Sequence, residues 1–189
     1  MSQSNWKKFK VRWVLAQRAR KINSPYKAEL SWRNMEKTKE FFMKKAILQA
    51  KKAEEKGEVP IGAVIVFDGR VIATGYNRRE TKHMATGHAE LLAIEKANRI
   101  FMDWRLEECD LYVTLEPCPM CMGAAMNARI RNVYFGAYDP QSGVCGSKMH
   151  MEENNLCNHN INAEGGVLEE ECRALLTDYF KKVRAAKKW

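Results

Sequence analysis

A β-hairpin pattern in residues 61–76 sets the architecture expected for this chain. Ile61–Phe67 reads IGAVIVF, a run rich in β-branched residues that is typical of a strand. Asp68-Gly69 follows as a tight turn, and Val71–Tyr76 forms the second strand of the predicted hairpin. The predicted elements come in the order helix, hairpin, helix, strand, helix, strand, helix. This order predicts one mixed sheet between layers of helices, an α/β domain.

The elements around the hairpin are predicted from the spacing of apolar residues. Before the hairpin, a helical pattern ends at Gly57 and consists of Phe41, Phe42, Ala46, Ile47, Ala50 and Ala53. After it, the pattern predicts a helix over Ala89–Asn98, a strand over Leu111–Leu115, a helix over Met120–Arg129, a strand over Val133–Phe135 and a helix over Val167–Val183. The polar stretch Asp139–Gly166 has little periodicity, so we expect loops that carry function there.

The net charge of +9 lies at the two ends of the 189-residue chain. Met1–Asn34 contains nine Lys or Arg residues and one acid, Glu29, and Lys181–Trp189 contains five basic residues and no acid. Residues 35–180 therefore carry a small net negative charge. Basic ends suit a polyanion such as RNA, because neutralised phosphates release counterions. Solvated tails are the alternative that charge alone leaves open.

Residues 1–34 are predicted to form a basic N-terminal extension outside a domain that covers residues 35–189. Three interpretations of the extension are open. It is a flexible RNA-binding arm without fixed structure, or an Arg-rich segment of the kind that directs proteins to organelles. In the third interpretation it is translated upstream sequence that is not native to the protein, and Met35 is the working start.

The cysteines and the apolar segments predict a cytoplasmic protein that does not bind a membrane. The longest apolar run, Ile61–Phe67, is far shorter than the roughly 20 residues of a membrane helix. Residues 1–30 lack the apolar core and small-residue cleavage site of a secretory signal. Only one tight pair occurs among the six cysteines Cys109, Cys118, Cys121, Cys145, Cys157 and Cys172. Reduced thiols and metal binding are therefore favoured over a disulfide framework.

Cys118 and Cys121 form a Cys-x-x-Cys pair at the start of a predicted helix. Two thiolates can converge there on one ion, and the positive helix end lowers the thiol pKa toward the metal-binding form. Taken alone, the pair fits a redox motif or half of a closed structural zinc site. A closed site takes four protein ligands, and no second Cys-x-x-Cys or His pair is present. Three protein ligands and a water, the arrangement of catalytic zinc, are therefore favoured.

His88 and Glu90 supply the remaining parts of such a site. Two residues apart in a regular helix they would point about 200° away from each other, so the segment is expected at a helix start. His88, Cys118 and Cys121 are the predicted ligands of one Zn²⁺. Glu90, which is not a ligand, is the predicted carrier of protons. The pattern resembles the signature of zinc base deaminases, whose activated water attacks C4 of cytosine or C6 of adenine.

From about Met35 to Lys182 the chain resembles the bacterial tRNA-specific adenosine deaminases, a family of the zinc-dependent cytidine and deoxycytidylate deaminase superfamily. The segments that carry the resemblance are Glu58–Val64, Gly75–Arg78, His88–Glu90, Leu111–Ala124, Arg129-Ile130, Phe135–Ser147, Asn158-His159 and Gly166–Cys172. The zinc motifs are shared across the superfamily, so the substrate rests on the other segments. Where the family usually has Asp-Pro-Thr-Ala, this chain has Met84–Gly87.

The resemblance implies a three-layer α/β/α sandwich around a mixed five-stranded sheet of the cytidine-deaminase type. It implies hydrolytic deamination of adenosine to inosine at the wobble position of tRNA anticodons, by a homodimer with one Zn²⁺ per subunit. Asn77 is expected to hydrogen-bond the substrate nucleoside, and Val59 and Pro60 to wall its pocket. Asp139 is expected to meet the anticodon backbone beside the target base. Phe180 and the basic residues after it are expected to contact the anticodon loop.

Two other functions are compatible with the zinc motif. A free-base or nucleotide deaminase of the same superfamily, for guanine or cytosine, would need neither the basic terminus nor a loop of this type at Asp139–Ser147. A non-catalytic RNA-binding protein would use zinc only to hold the fold, and Glu90 would then have no role.

Overall fold

The computed structural model describes residues 38–153 and 159–186, so the predicted 1–34 extension and Cys157 lie outside the described residues. All the predicted helices and strands are present. The elements are α1 (Lys39–Glu54), β1 (Gly62–Phe67), β2 (Arg70–Tyr76), α2 (Arg79–Lys82), α3 (Ala89–Phe101), β3 (Cys109–Leu115), α4 (Pro119–Asn127), β4 (Asn132–Ala137), a 3-10 turn (Met151–Glu153), β5 (Asn162–Glu164) and α5 (Glu169–Ala186).

The five strands form one sheet in the order β2-β1-β3-β4-β5. β1 pairs antiparallel with both of its neighbours, whereas β3, β4 and β5 run parallel to one another. All six residues of β1 are buried. A strand covered on both faces needs apolar side chains on both, which explains why its sequence runs apolar without alternating.

Two hydrophobic cores lie on opposite faces of the sheet. Ala63 and Ile65 of β1 pack with residues of α3 and α4. Val64 and Val66 pack on the other face, with residues of α1 and α5. The predicted three-layer α/β/α sandwich with a mixed five-stranded sheet is therefore confirmed. No helix within the described residues is long and apolar enough to cross a bilayer.

The polar stretch after β4 differs from its prediction in one element. Loops were expected throughout Asp139–Gly166, and this is wrong at Asn162–Glu164, which pairs parallel with β4 as β5. The strand is three residues long and contains no β-branched residue. Its pairing depends on the neighbouring edge of β4, where the Asn162 side chain donates to Asn132 Oδ1 at 3.1 Å. The local sequence pattern of residues 162–164 does not reveal that β4 lies beside them.

The strand directions bring distant parts of the chain to one edge of the sheet. β3 and β4 are parallel, and Leu115 pairs with Ala137, so the segments that follow them leave the sheet side by side. Gly62 at the start of β1 pairs with Tyr76 at the end of β2, so the segments beyond those residues meet at the same edge. The carboxyl ends of strands in an open α/β sheet are where ligands bind. The candidate site lies at this edge.

Candidate active site

The starts of α3 and α4 meet at this edge. His88 is the last extended residue before α3, with φ −76° and ψ 148°, and Cys118 has the same place before α4, with φ −78° and ψ 170°. Neither residue uses its side chain to cap its own helix. His88 therefore lies outside the helical turn that holds Glu90, which confirms the expectation that the His-x-Glu segment occupies a helix start. The extended backbone removes the 200° separation of a regular helix.

The ligand atoms of the predicted zinc site converge. His88 Nδ1 lies 3.4 Å from Cys121 Sγ and 3.8 Å from Cys118 Sγ. All three atoms fall within 4.8 Å of one another. Zn–S bonds of about 2.3 Å and Zn–N bonds of about 2.0 Å at a tetrahedral angle place nitrogen and sulfur about 3.5 Å apart. The donor set and its spacing therefore fit a tetrahedral zinc ion with one position left open.

A hydrogen bond couples the two thiols and shifts their pKa values in opposite directions. The hydrogen bond from Cys121, together with His88, lowers the pKa of Cys118 to about 4 against the opposing effect of burial. The same hydrogen bond, and burial, raise the pKa of Cys121. The site therefore favours the thiolate, the form of cysteine that binds metal, and a dication bound by the pair would displace protons from the thiols.

Glu90 lies beside this cluster and is 4% exposed. Burial raises the pKa of its carboxyl above the usual range for glutamate. A carboxyl whose pKa moves toward the working pH gives and takes protons more readily. Its position in the first turn of α3, next to His88, places it at the same cavity as the cluster.

A cavity of about 210 Å³ opens in front of these groups. Three of the five residues expected to bind substrate line it, namely Val59, Asn77 and Asp139. Pro60 is buried next to Val59 but does not line the cavity. Phe180 lies on α5, 43% exposed, and is also outside the lining.

Asn77 is held by a buried acid. Its Nδ2 donates to Glu58 Oε2 at 3.3 Å, and Glu58 has no exposed surface. A carboxylate accepts hydrogen bonds and does not donate, so this contact fixes which end of the amide faces Glu58. It leaves the carbonyl Oδ1 for a hydrogen-bond donor in the cavity.

Sequence reasoning did not single out two acids in the cavity wall, Glu58 and Glu116. Both are almost fully buried, at 0% and 2% exposed. Acids are rarely buried unless their oxygens have partners. The available signal was a glutamate close before a proline inside an otherwise apolar segment, as in Glu58-Val59-Pro60 and Glu116-Pro117. Glu58 accepts from backbone N–H groups in the first turn of α2, and Glu116 accepts from those of the loop that follows β4.

A buried glutamate beside one histidine and two cysteines is the constellation of the zinc base deaminases. Residues 37–184 accordingly match the MafB19-like deaminase family. The chain is also 50% identical over 149 residues to the tRNA-specific adenosine deaminase of Bacillus subtilis (strain 168), covering 79% of this chain and 92% of that protein. The chain belongs to the family of tRNA-specific adenosine deaminases.

Two solved structures are similar to this chain, one in sequence and fold and the other in fold alone. One comes from work on A-to-I editing by tRNA:A34 deaminases at the wobble position of transfer RNA. It has a TM-score of 0.69 at 44% identity and covers 71% of this chain and 98% of that chain. A guanine deaminase from Nitrosomonas europaea has a TM-score of 0.66 at 23% identity, covers 75% of this chain and 84% of that one, and shows the shared fold alone.

Proposed function

We propose that this chain deaminates adenosine to inosine at the wobble position of tRNA anticodons, with one Zn²⁺ per subunit held by His88, Cys118 and Cys121. The observation that carries the proposal is the buried Glu90 carboxyl beside three converging ligand atoms. The 50% identity to a tRNA-specific adenosine deaminase supports tRNA adenosine as the substrate.

The reaction exchanges the 6-amino group of adenine for an oxygen from water and releases ammonia. Zinc, when bound, supplies the acidity that makes a water molecule a nucleophile near neutral pH. The Glu90 carboxylate takes a proton from this water and passes it to ring N1 while the oxygen adds to C6. A second transfer through Glu90 moves the remaining hydroxyl proton to the amino group. The C6–N bond then breaks, so that water and adenosine are converted to ammonia and inosine.

The cavity wall is proposed to bind and orient the nucleoside. The Oδ1 atom of Asn77 is the proposed hydrogen-bond acceptor for the nucleoside, because Glu58 binds the Nδ2 end of the same amide. Val59 supplies an apolar wall, and Pro60 is proposed to support it from its buried position. Asp139 is proposed to meet the anticodon backbone next to the flipped base, as in enzymes that extrude their target base. Phe180, exposed on α5, is proposed to contact the anticodon loop together with Lys181 and Lys182.

The outer surface of α4 supports a homodimer. None of its nine residues, PMCMGAAMN, is charged. Cys121, Met122, Ala125 and Met126 are buried in the core, while Met120 is 37% exposed. Charged residues are depleted and methionine is enriched at the centre of protein interfaces. A second copy of this chain is therefore the proposed partner of this surface.

We propose residues 35–189 as the deaminase domain and the cytoplasm as its location. The five cysteines within the described residues form no disulfide with one another, as expected in a reducing compartment. If residues 1–34 form an RNA arm, their deletion should weaken tRNA binding and flatten its salt dependence, because fewer counterions are released. Filter binding across a series of salt concentrations measures both. An unchanged slope would show that the extension does not contact the RNA.

The decisive experiment is to treat tRNA with the purified protein and to sequence it after reverse transcription. Inosine is read as guanosine, so wobble adenosine should change to G in the sequence. Ammonia release from free guanine and free cytosine is measured in parallel and should be absent. Turnover of a free base without wobble inosine would instead identify a free-base deaminase.

A further inference from the structure

Glu116 lies between the end of β3 and the start of α4 and is 2% exposed. Both of its oxygens accept hydrogen bonds from one loop, residues 139–147, which we call the 139–147 loop. Oε1 accepts from the backbone N–H groups of Cys145 at 2.8 Å and Ser147 at 3.0 Å. Oε2 accepts from the backbone N–H of Asp139 at 2.9 Å and from the Ser147 hydroxyl. A single buried carboxylate thus binds the loop at its beginning and at its end.

Gly143 in the middle of this loop packs directly against the same carboxyl group. A Cβ atom built on Gly143 would lie 2.3 Å from both Cδ and Oε2 of Glu116, and 2.7 Å from the Asp139 carbonyl oxygen. No side chain fits at that distance, so the close approach requires glycine. The loop backbone is therefore wrapped around the carboxylate, with its two ends bonded to it and its centre in contact.

The loop held in this way forms one wall of the active-site cavity. Asp139 and Ser142 line the cavity, and so does Glu116 itself. The Asp139 side chain is fixed in turn, because Oδ1 accepts from Gln141 N at 2.9 Å and Oδ2 from the Ser142 hydroxyl at 2.5 Å. The position of the Asp139 carboxylate in the cavity thus depends on the backbone that Glu116 binds.

We propose that Glu116 is the positioning residue of the 139–147 loop, which sets how tightly the anticodon is bound by holding Asp139 and Ser142 in the cavity wall. This inference rests on the proposed function, since it assigns the effect to RNA binding. Glu116 acts through the loop and does not take part in the chemistry. An apolar side chain of similar size would fill the space, but it would leave the N–H groups of Asp139, Cys145 and Ser147 without acceptors. Since four donors bind this one carboxylate, we infer that Glu116 positions the loop and does not merely fill space.

The test is Glu116→Gln, because glutamine keeps the volume and loses one acceptor. The amide of this glutamine can take two orientations. The favoured one puts its N–H₂ group in the place of Oε2, because Oε2 accepts from one backbone N–H group whereas Oε1 accepts from two. Ser147 can then accept through its hydroxyl, but the Asp139 N–H is left facing a donor. We expect the zinc content to stay full and the KM for an anticodon stem-loop to rise about 10-fold, which is of the order expected when a buried N–H group loses its acceptor. The kcat should change by less than about threefold, since no group that acts only in the transition state is removed.

Hydrogen exchange of the 139–147 peptides gives a readout that does not depend on activity. Glu116→Gln should raise exchange in these peptides and leave the β1 and β3 peptides unchanged. Glu107→Gln is the matched control, because Glu107 is 47% exposed and pairs with Arg129 at the surface. Gly143→Ala should reproduce the raised KM and the local exchange while the carboxylate stays in place.

Three results would overturn the proposal. They are a wild-type KM and wild-type loop exchange in Glu116→Gln, a loss of protection spread over the whole chain, and effects of Glu116→Gln and Asp139→Asn on KM that multiply independently. A double-mutant cycle measures the last of these, and coupling is expected because the two residues act through one loop. If the wild-type protein produced no inosine at all, the proposed function would fail, whereas the exchange experiment would still decide whether Glu116 positions the loop.

Discussion

The two sides of the active-site cavity are held in place by different means. The side proposed to hold the metal, called the metal side below, consists of His88, Glu90, Cys118 and Cys121 at two helix starts, where local backbone geometry directs the side chains. The side proposed to bind the substrate, called the recognition side below, consists of Asn77 and the 139–147 loop, which are held by the buried carboxylates of Glu58 and Glu116. Irregular backbone lacks a regular hydrogen-bond ladder, so its N–H groups need side-chain acceptors. We therefore expect changes on the metal side to lower kcat and changes on the recognition side to raise KM.

Cys121→Ala should have the largest effect, because it removes one of three proposed zinc ligands from a buried site. We expect zinc to be lost and inosine formation to fall below detection, since three protein ligands are needed to hold catalytic zinc. Metal content and inosine formation are measured on the same preparation. Cys172→Ala is the control, because Cys172 is buried in the core beside α1 and α5. This variant should keep its zinc. Full zinc occupancy in Cys121→Ala would remove this residue from the ligand set.

Glu90→Gln should keep the zinc and lower kcat by about 10²–10⁴, the usual contribution of a positioned proton carrier. Glutamine matches the shape of glutamate but cannot take the proton from water. The KM should change little if the metal side acts in the chemical step and not in substrate binding. Glu95→Gln is the control, because Glu95 is an exposed glutamate on the same helix that pairs with Arg99, and this variant should behave as wild type. A kcat within tenfold of wild type would contradict the role proposed for Glu90.

Asn77→Ala is expected to act mainly on KM, with a loss in kcat/KM of about 10- to 100-fold, as for a missing buried hydrogen-bond partner. Steady-state kinetics on an anticodon stem-loop separate the two constants. Asn162→Ala serves as the control, because Asn162 lies on β5 and bonds Asn132 away from the cavity. If Asn77→Ala lowered kcat alone, the division between the two sides of the cavity would not hold at this residue.

Glu58→Gln should have the smallest effect on turnover and a measurable one on stability. Burial raises the pKa of Glu58, but hydrogen bonds from the Thr81 N–H, the Thr81 hydroxyl and the Glu80 N–H outweigh it and lower the pKa. A pKa that is lower in the folded state stabilises the fold above the unfolded value of about 4.3, and this contribution is lost as the pH falls through the folded value. At pH 7 we expect the free energy of unfolding of the variant to be about 1–3 kcal/mol lower than that of wild type.

The pH dependence of this difference in the free energy of unfolding separates the contribution of the Glu58 charge from that of side-chain packing. Urea unfolding of wild type and Glu58→Gln should give curves that converge as the pH falls below the unfolded value of about 4.3 and through the lower pKa of the folded state, where the wild-type carboxylate becomes protonated. Glu54→Gln is the control, because Glu54 pairs with Lys182 at the surface and exposed pairs contribute about 0–1 kcal/mol. A difference that stayed constant with pH would assign the stability to packing.

The secondary structure was predictable wherever an element carried its own signal. The strand Ile61–Phe67 and the helix starts at His88 and Cys118 follow from local composition and spacing. β5 did not follow, because three residues, Asn162–Glu164, become a strand only beside β4. The short helix α2, Arg79–Lys82, was missed for a related reason: its backbone N–H groups at Glu80 and Thr81 are bound by Glu58, which lies more than 20 residues earlier.

The sequence by itself determined the reaction chemistry, because the four groups of the metal side occupy two short segments in which local spacing fixes their relation. It also pointed to the substrate, through resemblance in segments such as Gly75–Arg78 and Phe135–Ser147. Only the tertiary structure decided which of those residues share a cavity. Asn77, Asp139 and Glu116 meet because β1, β2, β3 and β4 pair in one register, and pairing between strands is a long-range contact that no local pattern encodes. The roles proposed for Glu58 and Glu116 have the same origin, since the donors to each buried carboxylate lie about 20 or more residues away along the chain.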